Sequence, residues 1–430
     1  MREGFFITLA FSAFVATSGV LAAATLEARP DNLQQVLDRA GPGDEVRLAD
    51  GVYKGGLRMS RSGTAEAPIT VKGDSAKAII DGGKGDGFVV ASSWVIVEGI
   101  RFQKAGRAGI GILSEPETPT QHVTVRNCVS ADNGVWGVVT SHTNFFVAEN
   151  NECFGSIEEH GIYVGNSGDD PVIRGNRLHH NAANGLHVNG DPLCGGDGVI
   201  SRALIERNVI WENGKRGGSG INLTHVQDSL IRNNLVYHNY ASGISIYFSD
   251  GGPAAVSRRD KVFNNTFYFR PGEGRFCLNL TMQSAEIAVK NNIFFGGIYS
   301  AAYVDPTCLV GLDIDYNVYA EHPGYYLLGD ASEDNEALAK AYRDAGLDVK
   351  TGKGVEVTVE SWQKKGYDRH SSFGVAPRFA ALDKGDFHLA PGSAGLGAAT
   401  NLSGFVPQDM EGHPRPKDTP WDCGCYQSAK

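Results

Sequence analysis

Residues 158–191, EEHGIYVGNSGDDPVIRGNRLHHNAANGLHVNGD, hold one full turn of a repeat and the start of the next. Gly161 precedes Ile162 and Val164, and Gly185 precedes Leu186 and Val188, so a short alternating strand recurs one period later. Outward from this stretch, one polar column runs through Asn151, Asn176, Asn208, Asn234, Asn265, Asn292 and Asn317, with Cys128 in the preceding turn. Its steps are 23, 25, 32, 26, 31, 27 and 25 residues. Three positions earlier stand Val125, Ala148, Ile173, Ile205, Ile231, Val262, Val289 and Ile314. Two positions later stand Cys153, Leu178, Ile210, Val236, Phe267, Phe294 and Tyr319. A second strand starts at Gly137, Gly161, Gly185, Gly220 and Gly243, with Cys277 next in line. A period near 25 with short strands in register implies a coiled sheet, each turn adding one rung roughly 4.8 Å above the last. Stacked asparagines would then satisfy one another and the bent backbone. A leucine-rich repeat needs more leucine in a fixed frame, and a propeller repeat is about twice as long.

The chain has 430 residues, ample for a large core, and its 55 glycines imply many tight turns. A formal charge of −10 leaves no basic stripe for nucleic acid. Arg2 followed by an apolar run from Phe5 to Leu21 and by Ala22, Ala23 and Ala24 reads as a signal peptide over residues 1–24. The expected location is therefore secreted or periplasmic, with no later segment able to span a membrane. Seven cysteines leave at least one thiol free; Cys423 and Cys425 form only a C-x-C, and no zinc spacing occurs.

Asp31 to Ala40 reads as a short N-terminal capping helix, with Asp31 as its cap and Gln34 at the capping-box position. Strand patterns follow at Glu45 to Leu48, Ile69 to Lys72, Ala78 to Asp81, Phe88 to Val90 and Trp94 to Phe102. Short C-terminal helices are expected at Asp334 to Ala345, with Leu338, Ala341 and Tyr342 on one face, and near Val359 to Lys365. The expected division is a β-helix over 25–320, a helical and loop excursion over 321–375, and a closing segment over 376–430.

The asparagine-ladder repeat resembles the right-handed parallel β-helix of the pectate-lyase-like superfamily, which includes secreted bacterial polysaccharide lyases, epimerases and hydrolases. The opening LQQVLDRAGPGDEVRLADGVYKG and SGTAEAPITVKG resemble its first coils, and FGVAPRFAALDKGDFHLAPGSAGLGAAT with PWDCGCYQ resembles its closing segment. The resemblance implies an all-β, right-handed solenoid. It does not fix an activity, because one scaffold carries several reactions. Ser167-Gly168-Asp169-Asp170 is similar to the paired aspartates of polygalacturonases, whose other motifs are missing. The Asp-Pro-His of alginate epimerases is absent, and Trp94-Val95-Ile96-Val97-Glu98 is a distant echo of the pectate lyase vWiDH element.

The long ladder steps place extra residues at Asp191 to Ser201, Glu212 to Ser219 and Asp250 to Asp260, as walls beside the strands at Gly185, Gly220 and Gly243. Alternation turns Val139, Tyr163, His187, Asn222 and Ser245 outward, then Ser141, Gly165, Asn189, Thr224 and Tyr247. β-Elimination from a uronic-acid polymer needs a carboxylate binder, a base and an acid. The reading takes His187 as base, Tyr163 or Tyr247 as acid, and Asn189 or Asn222 as carboxylate binders, with His160, Thr224, His225 and Arg275 as further substrate contacts. Lys215, Arg216, Arg258 and Arg259 lie in or beside the loops, where they would attract an anionic chain. Asp169, Asp170, Asp191 and Asp197 flank the same rungs; Asp191 and Asp197 are the candidate Ca²⁺ ligands. The alternatives are a glycoside hydrolase using Asp169, Asp170 and Asp191, or a non-catalytic carbohydrate-binding surface protein. The expected partner is a polysaccharide, and the expected state a monomer.

Overall fold

The computed structural model describes residues 23–320, 335–351 and 354–428. The apolar run from Phe5 to Leu21, and Asp334 of the first C-terminal helix, lie outside the described residues. The chain coils as a right-handed parallel solenoid with three sheets of 12, 12 and 10 strands. One turn runs Val172–Arg174 in sheet 1, Arg177–His179 in sheet 2 and Leu186–Asn189 in sheet 3, and returns to sheet 1 at Leu204–Glu206. The period found in the sequence is this circuit.

The sheets bend sharply between 1 and 2. The residue before each ladder asparagine has a positive φ: Asn150 (55°), Gly175 (67°), Arg207 (55°), Asn233 (52°), Asn264 (53°) and Asn291 (61°). Such a left-handed residue turns backbone amides out of the sheet ladder, and they need other acceptors. The ladder supplies them. Asn176 Nδ2 donates to Asn208 Oδ1 at 3.0 Å and to the Ala148 carbonyl at 2.9 Å, and its backbone N–H donates to Asn208 Oδ1 at 2.9 Å. The same scheme runs from Asn151 to Asn292. It ends where Asn317 Nδ2 meets Asp368, a buried carboxylate that also accepts from Trp362 Nε1 at 2.9 Å. A second, shorter ladder, Asn181, Asn213 and Asn239, fills the bend between sheets 2 and 3.

Inside, the columns read from the sequence are all buried: Ile173, Ile205, Ile231, Leu178, Ile210, Val236, Leu186, Ile221 and Ile244 are fully inaccessible. Each such side chain contributes about 1.5–3 kcal/mol by leaving water. The Trp94 to Phe102 stretch is two strands, Val95–Glu98 and Arg101–Gln103, because Gly99 (φ 67°) makes the bend between sheets 1 and 2. The N-terminal helix is a single turn, Leu33–Leu37. Its cap is Asn32 rather than Asp31, and Gln34 reaches Asp38 and the backbone of Arg58 rather than closing a capping box. Leu33, Val36 and Leu37 pack against the first strands.

The C-terminal helices span Asn335–Asp344 and Val359–Lys365. Ala339 and Tyr342 form the first one's buried contacts, and the Tyr342 hydroxyl donates to the Val304 carbonyl on the last strand of sheet 3, so that exposed edge is covered. Residues 399–427 lie against the bend between sheets 1 and 2. Asn233 Nδ2 donates to the Gln408 carbonyl at 2.7 Å, Asn264 Nδ2 to the Asp422 carbonyl at 3.2 Å, and Asn291 Nδ2 to the Thr400 carbonyl at 2.9 Å. All described cysteines are free thiols; Cys194 alone among them is exposed, and burial pushes Cys128 and Cys423 up to about 12. Among the described residues no helix is long and apolar enough to cross a membrane.

Candidate functional site

Sheet 3 keeps strict register, so its outward side chains fall into columns. Val139, Tyr163, His187, Asn222, Ser245, Asn279 and Tyr303 stand on successive rungs, and Ser141, Gly165, Asn189, Thr224 and Tyr247 form the next column. The loop at 191–199 leaves these strands on the side where they end, as does the loop at 250–260. The loop at 212–218 enters on the opposite side. The first and third loops touch, since Gly251 sits against Pro192 with no room for a side chain. Beneath them Thr224 is buried although it points outward.

The densest cluster joins three rungs. His187 Nδ1 lies 3.0 Å from His160 Nε2, and His160 Nδ1 receives the backbone N–H of Asn184 at 3.2 Å. The Tyr163 ring packs at 5.1 Å from His187 and 5.5 Å from His160, and Asn189 Nδ2 donates to the Tyr163 hydroxyl at 3.2 Å. Gly165 leaves the space under that ring; a methyl group there would approach Tyr163 to 3.1 Å. Burial pushes His160 down to about 4 and His187 well below the usual imidazole range, the latter helped by His160. Burial raises Tyr163, opposed by the Asn189 hydrogen bond. His187 Nε2 and Thr224 Oγ1 are enclosed, with no hydrogen-bond partner among the described residues. Buried polar atoms are nearly always paired, so these two call for a partner from outside the chain, water included.

One rung on, Asn222 Nδ2 donates to the Tyr247 hydroxyl at 2.9 Å. The two line a depression of about 270 Å³ with Ser245, Asn279, Thr281 and Arg275. Arg275 is exposed and has no ion pair among the described residues. His225 does not join the His187 cluster. It is buried under the third loop, with Nε2 3.1 Å from the Asp250 carbonyl and its ring edge-on to Phe248.

The aspartates are held elsewhere. Arg202 binds Asp169 at 2.9 Å and Asp170 at 2.8 Å. Asp191 caps the short turn Pro192–Cys194 and accepts from Leu193 N–H at 3.1 Å; Asp197 accepts from Val199 N–H at 3.0 Å. Asp169 and Asp197 line a separate recess of about 160 Å³ with His142. Of the loop cations, Arg259 is paired with Asp228, Arg258 reaches the Pro253 carbonyl, and Lys215 lies over the Tyr240 ring. His179 and His180 belong to the sheet 2 surface: His179 stacks between Phe154 at 4.9 Å and Trp211 at 4.1 Å.

Sequence reading missed Asn184, Glu159 and Trp136, whose indole N–H donates to Glu159 Oε2 at 2.8 Å beside His160. Trp136, His160, Asn184, Ser219 and Ser242 stand one residue before each strand glycine. That column was the available signal.

Residues 69–200 and 193–294, together more than half of the chain, match the family described as right handed beta helix region. A curated relative, pectate lyase L of Thermoclostridium stercorarium, is 24% identical in an alignment 278 residues long that covers 55% of this chain and 21% of that protein. The chain thus spans about a fifth of that relative's length. Among solved structures, pectate lyase Pel9A aligns over 96% of this chain and 98% of its own, with TM-score 0.59 and 15% identity. An alginate lyase from Paenibacillus sp. str. FPU-7 aligns over 62% and 93%, with TM-score 0.53 and 24% identity. At these identities the structural likenesses establish the fold.

Proposed function

The chain belongs to the right-handed β-helix family, and we propose that it is a polysaccharide lyase cleaving a uronic-acid polymer by β-elimination. The observation that carries this reading is the cluster of His187, Tyr163 and Asn189, two perturbed titratable rings and an amide. It sits on the outward face of sheet 3 beside the loops at 191–199 and 250–260, and its His187 Nε2 is enclosed and unpaired among the described residues. The named relatives, pectate and alginate lyases, support the reaction class.

β-Elimination acidifies a C–H beside a carboxylate, removes that proton and protonates the leaving oxygen. Asn222, Asn189 and Arg275 offer donors for uronate carboxylates, and His187 and Tyr163 are the groups available for proton transfer. How the two rings divide the work is set by where the imidazole protons sit. Tyr247, held by Asn222, meets the neighbouring sugar. Asp191 and Asp197 on the first wall are the carboxylates on hand for a calcium ion, and assays with and without a chelator read that dependence directly. The apolar run at residues 5–21 supports action outside the cytoplasm.

Incubation with polygalacturonate, alginate and glycosaminoglycans, followed by ultraviolet absorbance of unsaturated product, tests the proposal. Absence of product from all of them, or full activity in His187→Ala, sinks it.

A further inference from the structure

A backbone N–H only donates, so the Asn184 N–H at 3.2 Å makes His160 Nδ1 an acceptor. The Asn184 side-chain amide, oriented by the Ser219 N–H donating to its Oδ1, brings Nδ2 to 3.3 Å from the same nitrogen. A neutral His160 ring therefore carries its proton on Nε2. In front of that proton stands His187 Nδ1 at 3.0 Å. Two N–H groups facing each other at this distance would repel, so His187 Nδ1 is an acceptor too, and the His187 proton sits on Nε2. Glu159 Oε2, 3.5 Å from His160 Nε2, can share the His160 proton without changing either tautomer. Burial keeps both rings neutral.

The result is an enclosed His187 Nε2–H with no acceptor among the described residues. An unmet buried donor costs about 1–3 kcal/mol, a cost that an oxygen of the bound sugar would remove. A general base would need a lone pair at this position.

We propose that His187 meets the substrate as a hydrogen-bond donor to the uronate carboxylate, with His160 and Asn184 as positioning residues that fix its tautomer. The α-proton then falls to Tyr163, whose hydroxyl oxygen already receives Asn189 Nδ2. Tyr163, a phenol at rest because burial opposes its charge, first gives its proton to water with the Asn189 amide steadying the oxygen. As phenolate it then takes the α-proton, the C=C bond forms while the bond to the leaving oxygen breaks, and the new phenol returns the proton to that oxygen. Water, which takes the phenol's proton before the first turnover, is the only other acid or base in the balance. The assignment rests on the lyase reading for its chemistry and on hydrogen-bond geometry alone for the tautomer.

Long-range ¹H–¹⁵N correlation spectra of the full chain labelled at histidine read the tautomer without any assay, and two substitutions separate its causes. In His160→Gln the side-chain carbonyl can take the Asn184 N–H and the amide can donate to His187 Nδ1. The Nε2–H form and a rate within a few-fold of wild type are expected. In His160→Glu the carboxylate only accepts, His187 turns its proton to Nδ1, and kcat falls about 100-fold or more. Tyr163→Phe abolishes turnover while oligouronate binding persists. A wild-type Nδ1–H tautomer, an active His160→Glu that has switched tautomer, or an active Tyr163→Phe overturns the proposal. If no protein forms product while the spectra show Nε2–H, the lyase reading fails and the tautomer stands.

Discussion

The bend between sheets 1 and 2 and the outward face of sheet 3 share a period and a taste for asparagine, yet they treat polar atoms in opposite ways. At the bend every ladder amide has its partners, and Asn208 is fully buried without a loose end. On the face, His187 Nε2, Thr224 Oγ1 and, beneath the third loop, His225 Nδ1 are enclosed and unpaired among the described residues. Hydrogen-bond satisfaction, rather than residue type, separates the asparagine ladder from this cluster, although enclosed unpaired atoms also occur at Asp260 and Arg415 away from it. A polar group whose bonds are all met internally adds rigidity, while one left open is poised for a ligand.

The contrast can be broken first at the bend. Asn208→Ala strips the acceptor from two Asn176 N–H groups and the donor from the Ile173 carbonyl. A loss of about 3–5 kcal/mol in chemical denaturation is expected, from several unmet groups at about 1–3 kcal/mol each. The mirror experiment is His187→Ala, which should lower turnover about 100-fold or more while leaving the denaturation midpoint unchanged or higher. A folded, active Asn208→Ala beside an unstable His187→Ala would reverse the distinction.

Acid probes the face more gently. His160 is lowered in the folded state, so the unfolded chain binds more protons below pH 6.5. Its contribution is intact above that pH and is lost as pH falls toward about 4. His160's share corresponds to about 3 kcal/mol across the window, so the slope should shrink by that amount in His160→Gln while the other lowered histidines, His187 first, keep the remainder. Asp260 gives the opposite sign. Burial raises its pKa well above the carboxylate range, and its Oδ2 has no partner among the described residues, so the folded state holds the proton and stability declines as pH rises through the raised pKa. Asp260→Asn should remove that decline, for a gain of about 1 kcal/mol at neutral pH.

The ladder and the outward columns were legible because a parallel solenoid converts sequence period directly into spatial neighbours: Tyr163, His187 and Asn222 face one another because they occupy equal places in the repeat. Details set by bends and loops were not legible. The split at Gly99, the second ladder through Asn181, and the contact between Pro192 and Gly251 depend on the path between strands, where spacing varies. His160 was placed beside the cluster, but its partnership with Asn184 lies outside strand alternation. The pairing of Asp169 and Asp170 with Arg202, and the loop N–H groups received by Asp191 and Asp197, were likewise set by loop paths and not by spacing.

The segment fastened along Asn233, Asn264 and Asn291 bears on how the chain assembles. A solenoid whose turns touch only their neighbours has low contact order and can fray from an end. Arg415 meets Asn233 across 182 residues of sequence at 3.1 Å, and Asn264 reaches Asp422 across 158. These bonds close only after residues 415–422 leave the ribosome. The contacts tie the turns at 233, 264 and 291 to one segment synthesised more than 100 residues after them, which couples those turns to one another as well as to their neighbours.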